Sequence, residues 1–173
     1  AKMNSVFPEG ITVFDDNIIF AQNLLQVSTK NRFYPNAGIS SLGHAIPAAI
    51  GAQFSQRSTM FAIIGDGGFQ MCCMEIMTAV NYDIPLNIIL FNNSSMGLIR
   101  KNQVQSYDNR FIDCDFINPD YATLAQSFGI NHVLIESEHK LDTMFQETDF
   151  DNGINLIEIV IDKNAFPNYS SRR

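Results

Sequence analysis

The apolar positions of the chain fall into two kinds of run that alternate from one end to the other. Short blocks rich in β-branched and aromatic residues, at 11–14, 59–64, 86–91, 132–135 and 156–161, have the length of strands. Between them the apolar residues recur at helical spacing, over 18–27, 42–54, 69–82, 96–105 and 141–148. A further amphipathic helix starts at Pro119-Asp120-Tyr121 and is closed by Gly129. Alternation of this kind predicts an α/β fold, a mostly parallel, doubly wound sheet with helices on both faces in three layers. Right-handed crossovers follow.

The polar interruptions sharpen the picture. Asp15-Asp16-Asn17 suits a turn or a helix cap after the first strand, and 31–41, with Pro35-Asn36-Ala37-Gly38, predicts a loop. A second loop, acidic and aromatic, spans 107–118. Segment 42–54 is nearly all small or apolar, with Pro47 tolerable in a first turn and Gly43, Ala48 and Gly51 allowing close approach of a helix or a ligand. Segment 69–82 carries Met71, Cys72, Cys73 and Met74, with Glu75 its one acid, so it needs burial on most faces or cover from a second domain or subunit. On helix 96–105, Arg100 and Lys101 are expected to be exposed. His132 and His139 read as strand and surface residues.

Composition narrows the function classes. At 173 residues, 46% of them apolar, the whole span 1–173 is expected to be one folded domain. A formal charge of -7 opposes a broad nucleic-acid footprint, which needs clustered Lys and Arg. The three cysteines fit no zinc spacing and no disulfide framework, which makes a reducing cytoplasm the default location. Cys72 and Cys73 read as small core residues. No apolar run reaches membrane-span length, and the first residues carry no signal-like apolar segment.

The chemistry concentrates at the ends of two strands. Gly65-Asp66-Gly67-Gly68-Phe69-Gln70 follows the run 59–64, and Asn92-Asn93-Ser94 follows 86–91. If the two strands lie parallel and adjacent, Asp66 and Asn93 reach one ion at the sheet edge where open α/β folds bind ligands. A dinucleotide fingerprint would need a third glycine or alanine where Gln70 stands, and a P-loop would need Lys and Ser/Thr after its glycines. Glycines that let backbone approach an anion, with two hard oxygen donors for Mg²⁺, describe a metal-bridged diphosphate site.

The same residues resemble the signature of thiamine diphosphate-dependent enzymes, in their C-terminal, diphosphate-binding domain. The series Leu42-Gly43, Ile46-Pro47-Ala48-Ala49-Ile50-Gly51-Ala52, Gly65-Asp66-Gly67, Asn92-Asn93, Met96-Gly97-Leu98-Ile99-Arg100, Asn118-Pro119-Asp120-Tyr121 and Phe166-Pro167 is most similar to acetolactate synthase catalytic subunits. The resemblance implies two cofactors, thiamine diphosphate and Mg²⁺. It assigns the metal to Asp66, Asn93 and the Ser95 carbonyl, and the diphosphate to the backbone of Gly67 and Gly68. Leu42 would hold the cofactor bent, the backbone of Ser40 and Leu42 would meet the pyrimidine, and Ser41, Gly65, Met96, Gly97 and Leu98 complete the cofactor-binding set. Leu98 and Ile99 would line the substrate side.

The implied parent reaction is decarboxylation of a 2-keto acid, pyruvate first, and transfer of the two-carbon unit to an acceptor. Simple decarboxylase or pyruvate oxidase-type chemistry is the alternative, and a stand-alone binding subunit of a split enzyme is another. The activating glutamate would come from the pyrimidine-binding domain of a neighbouring subunit in a homodimer or homotetramer; Glu75 is not that residue, and its expected role is a buried polar anchor at the interface or a satisfied structural carboxylate. Two departures touch the substrate: Asn17-Ile18-Ile19 stands where a Gly-Gln-His diphosphate contact is expected, and Asn102 where tryptophan is usual. His44 stands at a place often aromatic, with packing or channel lining weighed above a catalytic role.

Overall fold

The computed structural model describes residues 2–25 and 28–166. Val27, the expected end of the first long helix, and Pro167 of the Phe166-Pro167 pair lie outside them. In chain order the elements are α1 (Lys2–Val6), β1 (Thr12–Asp15), α2 (Ile19–Leu24), β2 (Arg32–Pro35), α3 (Ala45–Ser55), β3 (Met60–Gly65), α4 (Asp66–Cys72), α5 (Ile76–Asn81), β4 (Leu86–Asn92), α6 (Gly97–Ser106), α7 (Tyr121–Phe128), β5 (Asn131–Ile135), α8 (Glu138–Glu147) and β6 (Ile154–Val160). The sheet has six strands in the order β2-β1-β3-β4-β6-β5, and every pairing is parallel.

Strand periodicity explains the layers. Met60, Ala62 and Ile64 of β3 with Leu86, Ile88 and Leu90 of β4 face a core made with α3, α4, α5 and α7. Phe61 and Ile63, with Ile89 and Phe91, face the opposite core, where α8 contributes Met144 and α2 Ala21. Both faces of the central strands are therefore buried, which is why their sequences are continuously apolar rather than alternating. The expected three-layer α/β arrangement is present. Among the described residues no helix is long and apolar enough to cross a membrane.

Two local expectations are corrected. Within 31–41, residues 32–35 form the edge strand β2, paired from Thr12↔Arg32 to Asp15↔Pro35. Its short length and Pro35 are edge-strand features, and the stacking of Tyr34 on Phe14 at 4.9 Å anchors it from outside. Segment 69–82 is not one helix, because Cys72 leaves helical geometry at φ -137°, ψ 7° and a 3-10 turn at Cys73–Glu75 separates α4 from α5. Met71 and Met74 on this segment are more than half exposed, and Glu75 is exposed on the same surface. Cys72 is buried and Cys73 half-buried. Burial first, and then the negative field of Asp16, pushes the Cys72 thiol up to about 12, so it stays protonated and unreactive at neutral pH.

The lower end of the sheet is held by one buried amide. Asn87 on β4 donates to the carbonyls of Met60 and Phe150 at 3.1 and 2.9 Å, and its Oδ1 accepts from Asn155 on β6 at 2.8 Å. Asn87→Ala removes the shared partner of all three groups in a site with almost no solvent access. We expect a loss of about 3 kcal/mol in urea unfolding; a change below about 0.5 kcal/mol would show that water replaces the amide.

Candidate functional site

Because Gly65 pairs with Phe91 in parallel, the turns after β3 and β4 open side by side. The sheet order reverses direction at β1 and β3, whose carboxyl ends therefore diverge into a crevice, the usual ligand position in such folds. Asp66 sits at its floor with 2% exposure. Its Oδ2 accepts the N–H groups of Asn93 and Ser94 at 3.0 and 2.6 Å and the Asn118 side-chain amide at 2.8 Å. Among the described residues Oδ1 receives only the adjacent Gly67 N–H, at 3.0 Å. One carboxylate oxygen is thus committed to the protein and the other is left for a ligand.

The turn that carries Asn93 is itself fixed. Ser94 adopts positive φ (53°), Asn93 Oδ1 accepts the Ser95 N–H at 3.1 Å, and the Ser95 hydroxyl donates to the Cys114 carbonyl at 2.9 Å. Ser95 and Asp115 form a β-bridge, so the loop after α6 clamps the turn from above. Strained backbone held this firmly is characteristic of ligand sites.

The opposite wall depends on Asp16, a residue that sequence reading took for a general turn or cap. Asp15 is the one tied to the next helix, accepting the Ile18 N–H just before α2 at 3.0 Å and the Gln22 side-chain amide within it at 2.8 Å; burial raises its carboxyl above the ordinary value. Asp16, with 1% exposure, instead reaches across to α3. It accepts N–H groups from Gly43, His44 and Ala45 at 2.8, 2.7 and 3.3 Å. A Cβ on Gly68 would fall directly on that carboxylate, so only glycine fits between β1, α3 and α4. Asn17, also at positive φ, donates to the Ser40 carbonyl at 3.0 Å and ties the loop before α3 to the same rim.

Together these segments enclose a cavity of about 370 Å³, within the range of small-molecule and cofactor sites. Ser40, Leu42, Gly65, Asp66, Gly67, Gly68, Asn93, Ser95, Met96, Gly97 and Leu98 all line it, as does Ile99. Ser41 is exposed and lies outside the lining, and the His44 side chain is exposed, with only its backbone N–H engaged by Asp16. Asn17, Ile18 and Ile19 make one wall largely apolar. Lys101, Lys163 and Phe166 also line the cavity, although no local pattern marked the two lysines. Hard oxygen donors on Asp66 and Asn93, beside glycines that leave no side chain in the way, suit a magnesium-bound diphosphate.

The expected exposure of Arg100 and Lys101 is overturned: they are 7% and 3% exposed. The polar face of α6 is covered by the loop that follows it, which helical periodicity could not reveal. Arg100 donates to both oxygens of Asp115 at 3.1 Å and to Asn164 Oδ1 at 3.2 and 3.0 Å, and stacks 4.0 Å from the Phe111 ring centre. His132 is also more than a plain strand residue, since its Nε2 lies 2.9 Å from Glu158 Oε2. His139 is exposed, as expected. Next to this pair the Tyr121 phenol is pushed up by burial and by the charges of Asp66 and Glu158, so it remains protonated.

Residues 17–159 match the family described as thiamine pyrophosphate enzyme, C-terminal TPP binding domain. The acetolactate synthase large subunit of Lactococcus lactis is 34% identical over 130 residues, 74% of this chain and 22% of that protein. The mitochondrial acetolactate synthase catalytic subunit of Saccharomyces cerevisiae is 31% identical over 132 residues, 76% of this chain and 19% of its own length. A solved thiamine diphosphate-dependent 4-hydroxybenzoylformate decarboxylase from Rhodococcus jostii superposes with a TM-score of 0.80 at 21% identity, covering 93% of this chain and 32% of that one. The chain therefore spans only about a fifth of the length of these synthase relatives.

Asp115 provides a pH test of the loop that roofs the site. Lys163, then Ser95 and Arg100, hold its carboxyl at about 2, below the ordinary 3.8. A lowered folded-state value means that the ionised group stabilises the fold above pH 4, and that this contribution fades as pH falls toward 2. Acid titration of Asp115→Asn against the unmodified protein should show a stability deficit at pH 6 that vanishes near pH 2; a deficit that persists there would assign the effect to packing.

Proposed function

Since the chain belongs to the thiamine pyrophosphate enzyme family as its C-terminal TPP-binding domain, we propose that it holds thiamine diphosphate through Mg²⁺ as part of an acetolactate-synthase-like enzyme. The observation that carries this reading is the asymmetry of Asp66, a residue of the cavity lining whose Oδ2 accepts three donors from the protein while Oδ1 accepts one, from the neighbouring Gly67. Asp66, the Asn93 side chain and the Ser95 carbonyl are the proposed metal ligands, and the backbone of Gly67 and Gly68 the diphosphate rest. Leu42 and the Ser40 backbone orient the cofactor rings. Leu98 and Ile99 keep water from the substrate side.

Thiamine diphosphate, when bound, supplies the nucleophilic carbon and the electron sink for decarboxylating a 2-keto acid. The proposed donor is pyruvate, with the two-carbon unit passed to an acceptor carbonyl. The rest of the machinery lies beyond this chain: a pyrimidine-binding domain of a neighbouring subunit, which would bring the activating glutamate, in a homodimer or homotetramer. Exposed Met71 and Met74 beside the site are consistent with such a cover. Three free thiols fit a reducing compartment such as the cytoplasm. We place the span 1–173 as one domain of this enzyme, without turnover by itself. The other arrangement, a separately encoded subunit completed by another polypeptide, is distinguished by the length of the reading frame upstream of Ala1.

Asp66→Ala in the full-length protein should weaken Mg²⁺-dependent thiamine diphosphate binding roughly 100-fold by calorimetry, the loss of about 3 kcal/mol, while leaving the circular dichroism spectrum unchanged. Unaltered affinity would reject the site. Product analysis with pyruvate then decides the chemistry. Acetolactate supports the proposed transfer, whereas acetaldehyde alone or acetyl phosphate would assign the protein to decarboxylase or oxidase chemistry.

A further inference from the structure

The asymmetry of Asp66 has an origin deeper in the fold. The Asn118 NH₂ group donates to Asp66 Oδ2 and Asn92 Oδ1, each at 2.8 Å, with Ser94 Oγ a longer third contact at 3.3 Å. Asn92 in turn donates to Glu158 Oε1 at 2.6 Å, and the other Glu158 oxygen is engaged by His132 Nε2 at 2.9 Å. The contacts run from the end of β3, across the end of β4, to β6 and β5. Glu158 is 7% exposed, so water cannot readily substitute along this line.

The direction of each hydrogen bond follows from chemistry. An ionised carboxylate only accepts, so Asp66 forces the NH₂ of Asn118 toward itself. The second N–H of that group meets the Asn92 oxygen, nearer than Ser94 Oγ, and this leaves the Asn92 NH₂ for Glu158. Glu158 accepts as well, and its remaining oxygen requires a proton on His132 Nε2. On the far side, Asn118 Oδ1 takes the Gln70 side-chain N–H at 2.7 Å, consistent with the same orientation. With the Asp66 and Glu158 carboxylates as acceptors and the two amides between them, this arrangement gives each carboxylate a donor and joins the amides to each other.

We propose that Asn118, Asn92, Glu158 and His132 form a positioning relay that selects which Asp66 oxygen is offered to the cation. This rests on the reading of Asp66 as a metal ligand. None of the four touches the ion; each acts by holding the next, and the last of them, on β5, stands at the edge of the sheet away from the cavity. Outer partners of this kind typically change metal affinity about 10- to 100-fold when removed.

The test uses the full-length protein, with Mg²⁺ affinity measured by calorimetry in saturating thiamine diphosphate and Mn²⁺ as a paramagnetic probe of the site. Asn118→Leu and Glu158→Leu should each weaken the cation about 10- to 100-fold and change the Mn²⁺ spectrum. Glu158→Gln should stay within about threefold, because its carbonyl oxygen can still accept from Asn92 while a neutral His132 turns its unprotonated Nε2 to the new amide. Gln70→Leu, which leaves both donors of Asn118 in place, should do the same. Wild-type cation affinity in Asn118→Leu would overturn the relay, as would a Glu158→Gln as weak as Glu158→Leu. Should Asn118→Leu not fold, the Glu158 pair decides by itself. If the unmodified protein takes no Mg²⁺ with thiamine diphosphate, the metal-site reading falls and the relay with it; binding by the unmodified protein with no effect of these variants overturns the relay alone.

Discussion

A carboxylate with 2% exposure has to be satisfied by donors or by a cation, and much of this fold serves that requirement at Asp66. Two of its donors are backbone N–H groups of the turn after β4, which reach it only because β3 and β4 are parallel neighbours. The third comes from Asn118, at the end of a loop that has to fold back over α6 first. Arg100, spread over Asp115, Asn164 and Phe111, keeps that loop in place. A surface ion pair contributes little on average, but this guanidinium is buried and bonded on both edges, which makes it a structural clasp.

The other side of the crevice is governed by a second buried acid. Asp16 joins the end of β1 to the first turn of α3 and presses against Gly68 of α4. Two carboxylates that follow adjacent strands thus position the start of α3 and the turn after β4 around one cavity. Neither could be replaced by packing alone, since each satisfies N–H groups at places where the chain changes direction.

Legibility in the sequence followed the range of the interactions. The central strands β3 and β4, the capped helix α7 between Asp120 and Gly129, and the Asp66 and Asn93 turns were readable because local periodicity and turn chemistry specify them. Strand β2 was hidden among turn formers, since an edge strand of four residues draws its identity from its partner β1 rather than from its own pattern. Residue type makes Arg100 and Lys101 look exposed, but a loop some ten residues on covers Arg100, and Lys101 lines the cavity. Asn118 appeared only as part of a motif, with nothing to say that it meets a carboxylate 52 positions earlier.

The sequence by itself therefore determined the alternating α/β order, the parallel sheet and the pair of polar turns at its carboxyl edge, because each follows from side-chain period and backbone conformation over a few residues. Family membership rested on the same local motifs. Tertiary structure alone decided which oxygen of Asp66 takes three of its donors, which helix Asp16 caps, and that His132 belongs to the same hydrogen-bonded line as the site. Those outcomes depend on the directions of donors and acceptors brought together from distant segments, and hydrogen-bond direction is a property of the assembled fold rather than of any stretch of chain.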